Sequence, residues 1–493
     1  MDTTEQPSIP FNFAKRFGVL LTHIENNHAK IIYHHHPKIT VLQELKRHLK
    51  LPFILEAVDE NTFNKLLVKN YETNTSVAMQ MAEDLGDSMN LSDLISELPK
   101  TEDLLERQDD APIIRLLNAL LSEAIKESAS DIHIETFEDR VMIRFRVDGV
   151  LREILEPQRV LAPLIVSRIK VMAKLDIAEK RLPQDGRITL RLAGRAVDVR
   201  VSTMPTSHGE RIVLRLLDKQ SARLDLSDLG MMPGTLKLMK KLITIPHGII
   251  LVTGPTGSGK TTTLYAALTA LNNNTRNILT VEDPIEYDLP GVGQTQVNHK
   301  VDMTFAKGLR AILRQDPDIV MVGEIRDVDT AQIAIQASLT GHLVLSTLHT
   351  NSAIGAITRL DDMGVEPFLL SSSLIGVLAQ RLVRMLCPHC KKPVLATPSE
   401  CILLGVNDHT PPTIFHAEGC ERCRNNGYSG RSGVYELIAI DDTLRTMIHD
   451  RKPETILKKH VRTFFPSIRQ DGYQRVLQGD TSLEEVLRVT SEE

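Results

Sequence analysis

Eight consecutive residues, Gly254-Pro255-Thr256-Gly257-Ser258-Gly259-Lys260-Thr261, fit the pattern G-x-x-x-x-G-K-[ST] at every position. Few motifs restrict a fold so strongly, because the pattern works only where a strand runs into a loop that opens a helix. The glycines let backbone N–H groups curl around phosphate oxygens, Lys260 neutralises the β and γ phosphates, and Thr261 offers its hydroxyl to Mg²⁺. The helix that starts there adds the positive end of its dipole. An apolar run, His247 to Thr253, precedes the loop and a helical pattern, Lys260 to Leu271, follows it, as the chemistry requires. The nucleotide-binding set read from this stretch is Gly254, Pro255, Thr256, Gly257, Ser258, Gly259, Lys260, Thr261 and Thr262.

Beyond the loop, strand and helix patterns alternate: Asn277 to Glu282, Phe305 to Arg314, Asp318 to Gly323, Asp329 to Leu339 and His342 to Leu348. This order predicts an α/β domain built on a parallel sheet. Acidic residues cluster where two of its strands end. Ile319 to Val322 runs into Gly323-Glu324, and Ile278 to Val281 into Glu282-Asp283-Pro284-Ile285-Glu286. Such strand ends deliver side chains to the ligand edge of a parallel sheet. One carboxylate there can orient an attacking water and another can help hold a metal. His342 and His349 bracket the strand Leu343 to Leu348, and either can donate to a phosphate or act as a polar strand terminator.

Upstream the pattern is α+β. Ile113, Leu117, Leu120 and Ala124 recur at helical spacing, and alternating runs at Ile132 to Ile134, Val141 to Val147, Arg187 to Leu192, Ala196 to Ser202 and Glu210 to Leu217 read as strands. Asp148-Gly149 and Ala193-Gly194 are expected turns, and a second helix is expected over about Leu161 to Ala178. Residues 1–90 read as a small module with one helix near Ile39 to Leu51. The His34-His35-His36 run lacks spaced partners and reads as a solvated loop. The acidic stretch 91–110 reads as a linker, as does 221–235.

Four of the five cysteines form two Cys-x-x-Cys pairs, Cys387/Cys390 and Cys420/Cys423, the spacing of a closed tetrahedral zinc site with a structural role. Arg384, Lys391, Lys392, Arg422 and Arg424 stand nearby in sequence to offset its negative charge; His389 is a possible but unneeded substitute ligand, and Cys401 is left as an inert buried thiol. Across 493 residues, 58 basic and 63 acidic side chains leave a net charge of −5, with 4% aromatics and no Trp. This balance argues against a dedicated nucleic-acid binder. No apolar run reaches the roughly 18 residues of a membrane helix, and no secretory signal is visible, which predicts a cytoplasmic chain.

The blocks TGPTGSGKTTTLYAAL, TVEDPIEY, DIVMVGEIRD and TGHLVLSTLHTN together resemble the Walker A, Asp box, atypical Walker B and His box of secretion traffic ATPases. SDIHIETFEDRVMIRFRVDGVLRE and PQDGRITLRLAGRAVDVRVSTMPTSHGERIVLRLLD are similar to the type II secretion ATPases, the general secretory pathway protein E family. The resemblance covers Ala111 to the C-terminus. It implies a RecA-like motor over 236–493, with a zinc insertion at 384–430 and a helical part at 431–493, and an α+β domain over 111–220 that lies over the nucleotide. It also implies a working homo-hexamer that hydrolyses ATP with Mg²⁺. Lys260 would bind phosphate, Glu324 would be essential for hydrolysis, Glu286 and Glu282 would handle water or magnesium, and Arg200, Arg215 and Arg310 would contact the γ-phosphate. The expected partners are inner-membrane secretion platform proteins, docked through residues 1–110, which would hold the chain peripherally at the inner membrane of a Gram-negative bacterium. A motor for type IV pilus assembly is the near alternative, and a nucleotide-dependent zinc protein that binds DNA is the distant one.

Overall fold

The computed structural model describes residues 9, 13–14, 17–25, 28–49, 51–59, 62–63, 66, 111–192, 195–218, 225–273 and 275–491. The chain divides into two compact units, Met1–Gln220 and Ser221–Glu493.

The first unit opens with a three-stranded sheet. β1 (Val19–Glu25) pairs antiparallel with β2 (His28–Tyr33), α1 (Ile39–Leu49) crosses over, and β3 (Phe53–Ala57) joins β2 in parallel. Val41, Leu45 and Leu49, spaced by four, bury one face of α1 in a core with Leu20, Ala29 and Ile31. The strands were not evident from sequence because β3 is an edge whose residues are mostly exposed, so no alternation marks it. Val171 and Ile177 complete this core. The module expected at 1–90 therefore shares a unit with the domain at 111–220, while the expected linker 91–110 lies outside the described residues.

α2 (Ala111–Lys126) leads into a six-stranded antiparallel sheet. Its members are β4 (Asp131–Thr136), β5 (Val141–Val147), β6 (Val150–Leu155), β7 (Gln184–Leu192), β8 (Arg195–Thr206) and β9 (Gly209–Asp218), in the order β6-β5-β4-β9-β8-β7. Asp148 and Gly149 both take positive φ, +51° and +83°, and turn β5 into β6 as the pair predicts; the turn expected at 193–194 lies outside the described residues. α3 (Ala162–Met172) stops six residues before the helix end expected at Ala178. Lys174 turns left-handed at φ +59°, and Leu175 N returns to Lys170 O at 2.8 Å, which closes the last turn. Within this domain Lys170 Nζ meets Glu210 Oε1 at 2.5 Å, with the two side chains 1% and 6% exposed, and also donates to Glu179 O at 2.7 Å.

In the second unit α4 (Pro233–Ile243) precedes the sheet. β10 (Gly248–Thr253), α5 (Lys260–Leu271), β11 (Ile278–Glu282), β12 (Gly293–Gln296), α6 (Phe305–Ile312), β13 (Ile319–Val322), α7 (Val328–Leu339) and β14 (Leu343–Leu348) keep the expected alternation. α8 (Ala353–Asp362) and α9 (Pro367–Ser373) then lead to β15 (Leu374–Leu386). β16 (Lys392–Leu395), α10 (Pro398–Leu404) and β17 (Thr413–His416) form an excursion before β18 (Tyr428–Ala439) returns. α11 (Asp442–His449), α12 (Glu454–Val461), α13 (Ile468–Gln478) and α14 (Leu483–Val489) close the described chain. The sheet order is β12-β11-β13-β14-β10-β15-β18, parallel throughout except for the antiparallel β15/β18 pair.

β10 is buried along its whole length, with Ile249 and Leu251 facing one core and Ile250 and Val252 the other. A strand covered on both faces reads as a continuous apolar run, and β10 is one. The helical part expected over 431–493 begins instead as strand, since β18 continues to Ala439. Val434 to Ile438 is a buried run without alternation, and such a run has no period that separates strand from helix.

A buried ion pair that loses one partner leaves an uncompensated charge. Glu210→Leu is therefore expected to destabilise the protein by about 3–5 kcal/mol in chemical denaturation, and Lys170→Met with Glu210→Leu to recover most of the loss. Equal destabilisation by the single and the double variant would contradict the pairing.

Candidate nucleotide site and cysteine cluster

Parallel register brings the site together. Thr253 pairs with Leu348, Val322 with Ser346 and Val281 with Val322, so the segments after β10, β14, β13 and β11 leave the sheet at one edge. These segments carry the phosphate loop, His349, Glu324 and the run Glu282 to Glu286. Cross-ties fix them. Thr350 N donates to Thr253 Oγ1 at 2.9 Å, Thr347 Oγ1 donates to Gly323 O at 2.7 Å, and Ile325 N donates to Thr347 O at 3.0 Å.

In the loop, Gly254 (φ +149°) and Gly259 (φ +89°) hold backbone conformations that side chains disfavour. Space is also short there, because a Cβ on Gly254 would stand 2.5 Å from Gln380 O and one on Gly259 2.7 Å from Gln380 Nε2. Pro255, Thr256, Gly257 and Thr261 are exposed, Thr262 is half-buried, and Ser258 is buried with a hydroxyl that finds no hydrogen-bond partner among the described residues. Lys260, 9% exposed, turns back into the loop and donates to Gly254 O at 2.8 Å and Pro255 O at 3.1 Å. Burial pushes its pKa down to about 8, a shift that the Glu324 charge opposes and Arg381 reinforces. An ammonium held against carbonyls and short of counter-charge, beside an orphaned hydroxyl at a helix N-terminus, fits a polyphosphate.

Glu324, with its side chain 15% exposed, pairs with Arg326 and lies 3.4 Å from His349 Nε2. Glu286 N donates to Tyr265 Oη at 3.3 Å, and Asp283 Oδ2 stands 3.7 Å from His299 Nε2. Glu282 is 3% exposed and its carboxylate is fully engaged: Tyr265 Oη donates to Oε2, and Thr280 Oγ1 (2.6 Å) and Gln294 Nε2 (3.0 Å) donate to Oε1. Burial and the Glu282 charge hold the Tyr265 phenol protonated well above its usual range, and Tyr287 packs edge-on at 4.6 Å. This arrangement braces the segment that carries Glu286.

The other candidates lie apart from this edge. His342 is at the opposite end of β14, where Nδ1 approaches Ala337 O (2.9 Å) and Thr340 Oγ1 (3.1 Å) at the end of α7. Arg310 pairs with Asp329 at the start of α7. Arg200 and Arg215 stand opposite each other on β8 and β9 in the first unit, and Arg215 Nε meets Asp131 Oδ1 at 2.9 Å. Sequence reasoning missed Tyr265, Gln294, Arg326 and Gln380, which lie in no motif and are recruited by the fold.

The four cysteines converge although 29 residues separate the two knuckles in sequence. Their sulfurs all lie within 4.8 Å of one another, with closest separations of 3.7, 3.7 and 3.9 Å. Zn–S bonds of about 2.3 Å in a tetrahedron place sulfurs about 3.8 Å apart, so the donor set fits zinc. Cys423 Sγ accepts from Cys420 N (3.2 Å) and Gly427 N (3.3 Å), bonds that favour a thiolate. Three of the basic side chains expected to offset the charge are engaged elsewhere: Arg384 with Glu485, Lys391 with Gly479 O, and Lys392 with Glu418. His389 meets Arg422 and lies outside the sulfur cluster, and Cys401 is fully buried.

A parallel sheet whose phosphate loop and acids share one edge defines a P-loop ATPase of the α/β class. The model of the Type II/IV secretion system protein family matches residues 106–488, and that of an amino-terminal domain of GSPII protein E matches residues 8–71. The chain belongs to this family, among its type II secretion ATPases. It is 63% identical to "Type II secretion system protein E" of Pseudomonas aeruginosa over 98% of this chain and 96% of that protein. Against "Type II secretion system ATPase E" of Vibrio cholerae the identity is 61%, over 98% and 97%. Among solved structures, the pilus retraction motor PilT with bound ADP aligns with TM-score 0.52 at 26% identity, covering 76% of this chain and 96% of that one. The ATPase DotB of Legionella pneumophila aligns with TM-score 0.59 at 22% identity over 77% and 96%, a likeness of fold.

Cys390→Ser is expected to lower zinc in purified protein from about one ion per chain to near zero, since three thiolates leave the tetrahedron open. Metal analysis showing unchanged zinc would remove Cys390 as a ligand.

Proposed function

We propose that this chain hydrolyses ATP to ADP and phosphate and, as a homo-hexamer, uses the resulting closure of its subunits to drive pseudopilus assembly for type II protein export. The observation that carries the reading is the buried Lys260 in a glycine loop at the same sheet edge as Glu324. Loop N–H groups and Lys260 bind the β and γ phosphates. Thr261 holds Mg²⁺, which when bound neutralises charge on the phosphate oxygens. Glu324 orients the attacking water and takes its proton, while His349 at 3.4 Å positions that carboxylate. Glu286 and Asp283 complete the acidic set, and Glu282 serves through Tyr265 as a brace.

Arg200, Arg215 and Arg310 carry guanidinium groups suited to the γ-phosphate once subunits assemble, which would couple turnover to closure. The zinc is structural: it clasps the ends of β15 and β18, where Cys387 N donates to Gly427 O at 2.9 Å. No helix among the described residues is long and apolar enough to cross a membrane. The reading therefore assigns membrane contact to inner-membrane platform proteins docked through residues 1–110, on the cytoplasmic side.

Glu324→Gln is expected to lower ATP turnover about a hundredfold or more while ATP affinity stays within about threefold. Lys260→Ala is expected to lose both. Wild-type turnover in either purified variant would overturn the site.

A further inference from the structure

We infer that Gln380, on β15, is a positioning residue that holds the phosphate loop in its nucleotide-binding shape, an inference that rests on the ATPase reading above. Gln380 is 2% exposed, and its amide spans two elements: Nε2 donates to Ser258 O at 2.7 Å, and Oε1 accepts from Thr263 Oγ1 at 2.7 Å. The orientation is forced, because a carbonyl oxygen can only accept and therefore requires the NH₂ end. The loop also wraps this residue closely, since Gly254 and Gly259 are the positions where a Cβ would strike Gln380 O and Nε2.

The consequence for phosphate binding follows from peptide geometry. Ser258 C=O and Gly259 N–H belong to one trans peptide plane and point in opposite directions. Fixing Ser258 O on Gln380 therefore aims Gly259 N–H away from the strand, and presents a donor without a reorientation of the loop when an anion arrives. The neighbouring Arg381 treats the other side of the edge in the same way: its Nη2 donates to Asn351 O (3.1 Å) and Oδ1 (3.2 Å), in the segment that follows His349. An apolar residue at position 380 would fill the space but leave the Ser258 carbonyl buried and unpaired.

The test compares Gln380→Leu with Thr263→Val, which each remove a hydrogen bond of the same amide, while only the first frees Ser258 O. Gln380→Leu is expected to raise KM for ATP and Kd for a fluorescent ADP analogue about tenfold, with kcat changed less than about threefold. Thr263→Val is expected to move these constants less than about threefold at a comparable loss of Tm. Gln380→Glu keeps the volume and the Thr263 bond but sets a carboxylate against the Ser258 carbonyl, and it is expected to match Gln380→Leu, which covers a leucine variant that does not fold. Constants within twofold of wild type in Gln380→Leu or Gln380→Glu, or shifts that track Tm equally in both elements of the comparison, would overturn the inference. A wild-type protein that binds the ADP analogue without hydrolysing ATP would overturn the ATPase reading alone, because the Kd comparison still reports on Gln380.

Discussion

One buried ammonium organises the second unit. Lys260 lies almost out of solvent, and its described hydrogen bonds go to two carbonyls of its own loop, Gly254 O and Pro255 O. Neutral acceptors compensate a buried charge only in part, so burial pulls the group toward its uncharged form. A polyphosphate supplies what is missing. The loop can hold this arrangement because two strands support it from behind, β10 as the fully buried centre of the sheet and β15 through Gln380.

The remaining parts of the site depend on the same sheet. Glu324, His349 and Glu286 come from strands far apart in sequence and share an edge because β10, β11, β13 and β14 are parallel and in register. Their placement is reinforced by hydrogen bonds between loops, such as Thr350 N to Thr253 Oγ1 and Thr347 Oγ1 to Gly323 O. The cysteine cluster joins this scheme at β15. Leu386 ends that strand next to Cys387, so the clasp and the Gln380 contact act on one rigid element.

Features set by local spacing were legible in the sequence. The phosphate loop, the strand and helix alternation from β10 to β14, the Asp148-Gly149 turn and the two cysteine pairs are each written within a short window, and the fold keeps them. Residues whose role depends on distant partners were not legible. Gln380 is 122 positions from Ser258, and Tyr265 and Gln294 meet Glu282 only after β11 and β12 pair. Glu282 illustrates the difference: it reads as one of three acids at a strand end, and the fold encloses its carboxylate among Tyr265, Thr280 and Gln294. β15 and β18 were obscured for another reason, since a strand covered on both faces carries no alternation to read.

The claim that Lys260 waits for an anion can be measured as a proton. Its free-state pKa is depressed to about 8, and a bound polyphosphate raises it again. Between pH 8 and the ordinary lysine value near 10.5, binding must then take up a proton, and affinity must fall as pH rises through that window. ADP adds no proton of its own there, because its terminal phosphate titrates at about pH 6. Calorimetric titration with ADP in buffers of different ionisation heat should show uptake approaching about one proton per site at pH 9, near none at pH 7, and none at either pH in Lys260→Met. Binding to the wild-type protein at pH 9 without proton uptake, or uptake that persists in Lys260→Met, would contradict the account.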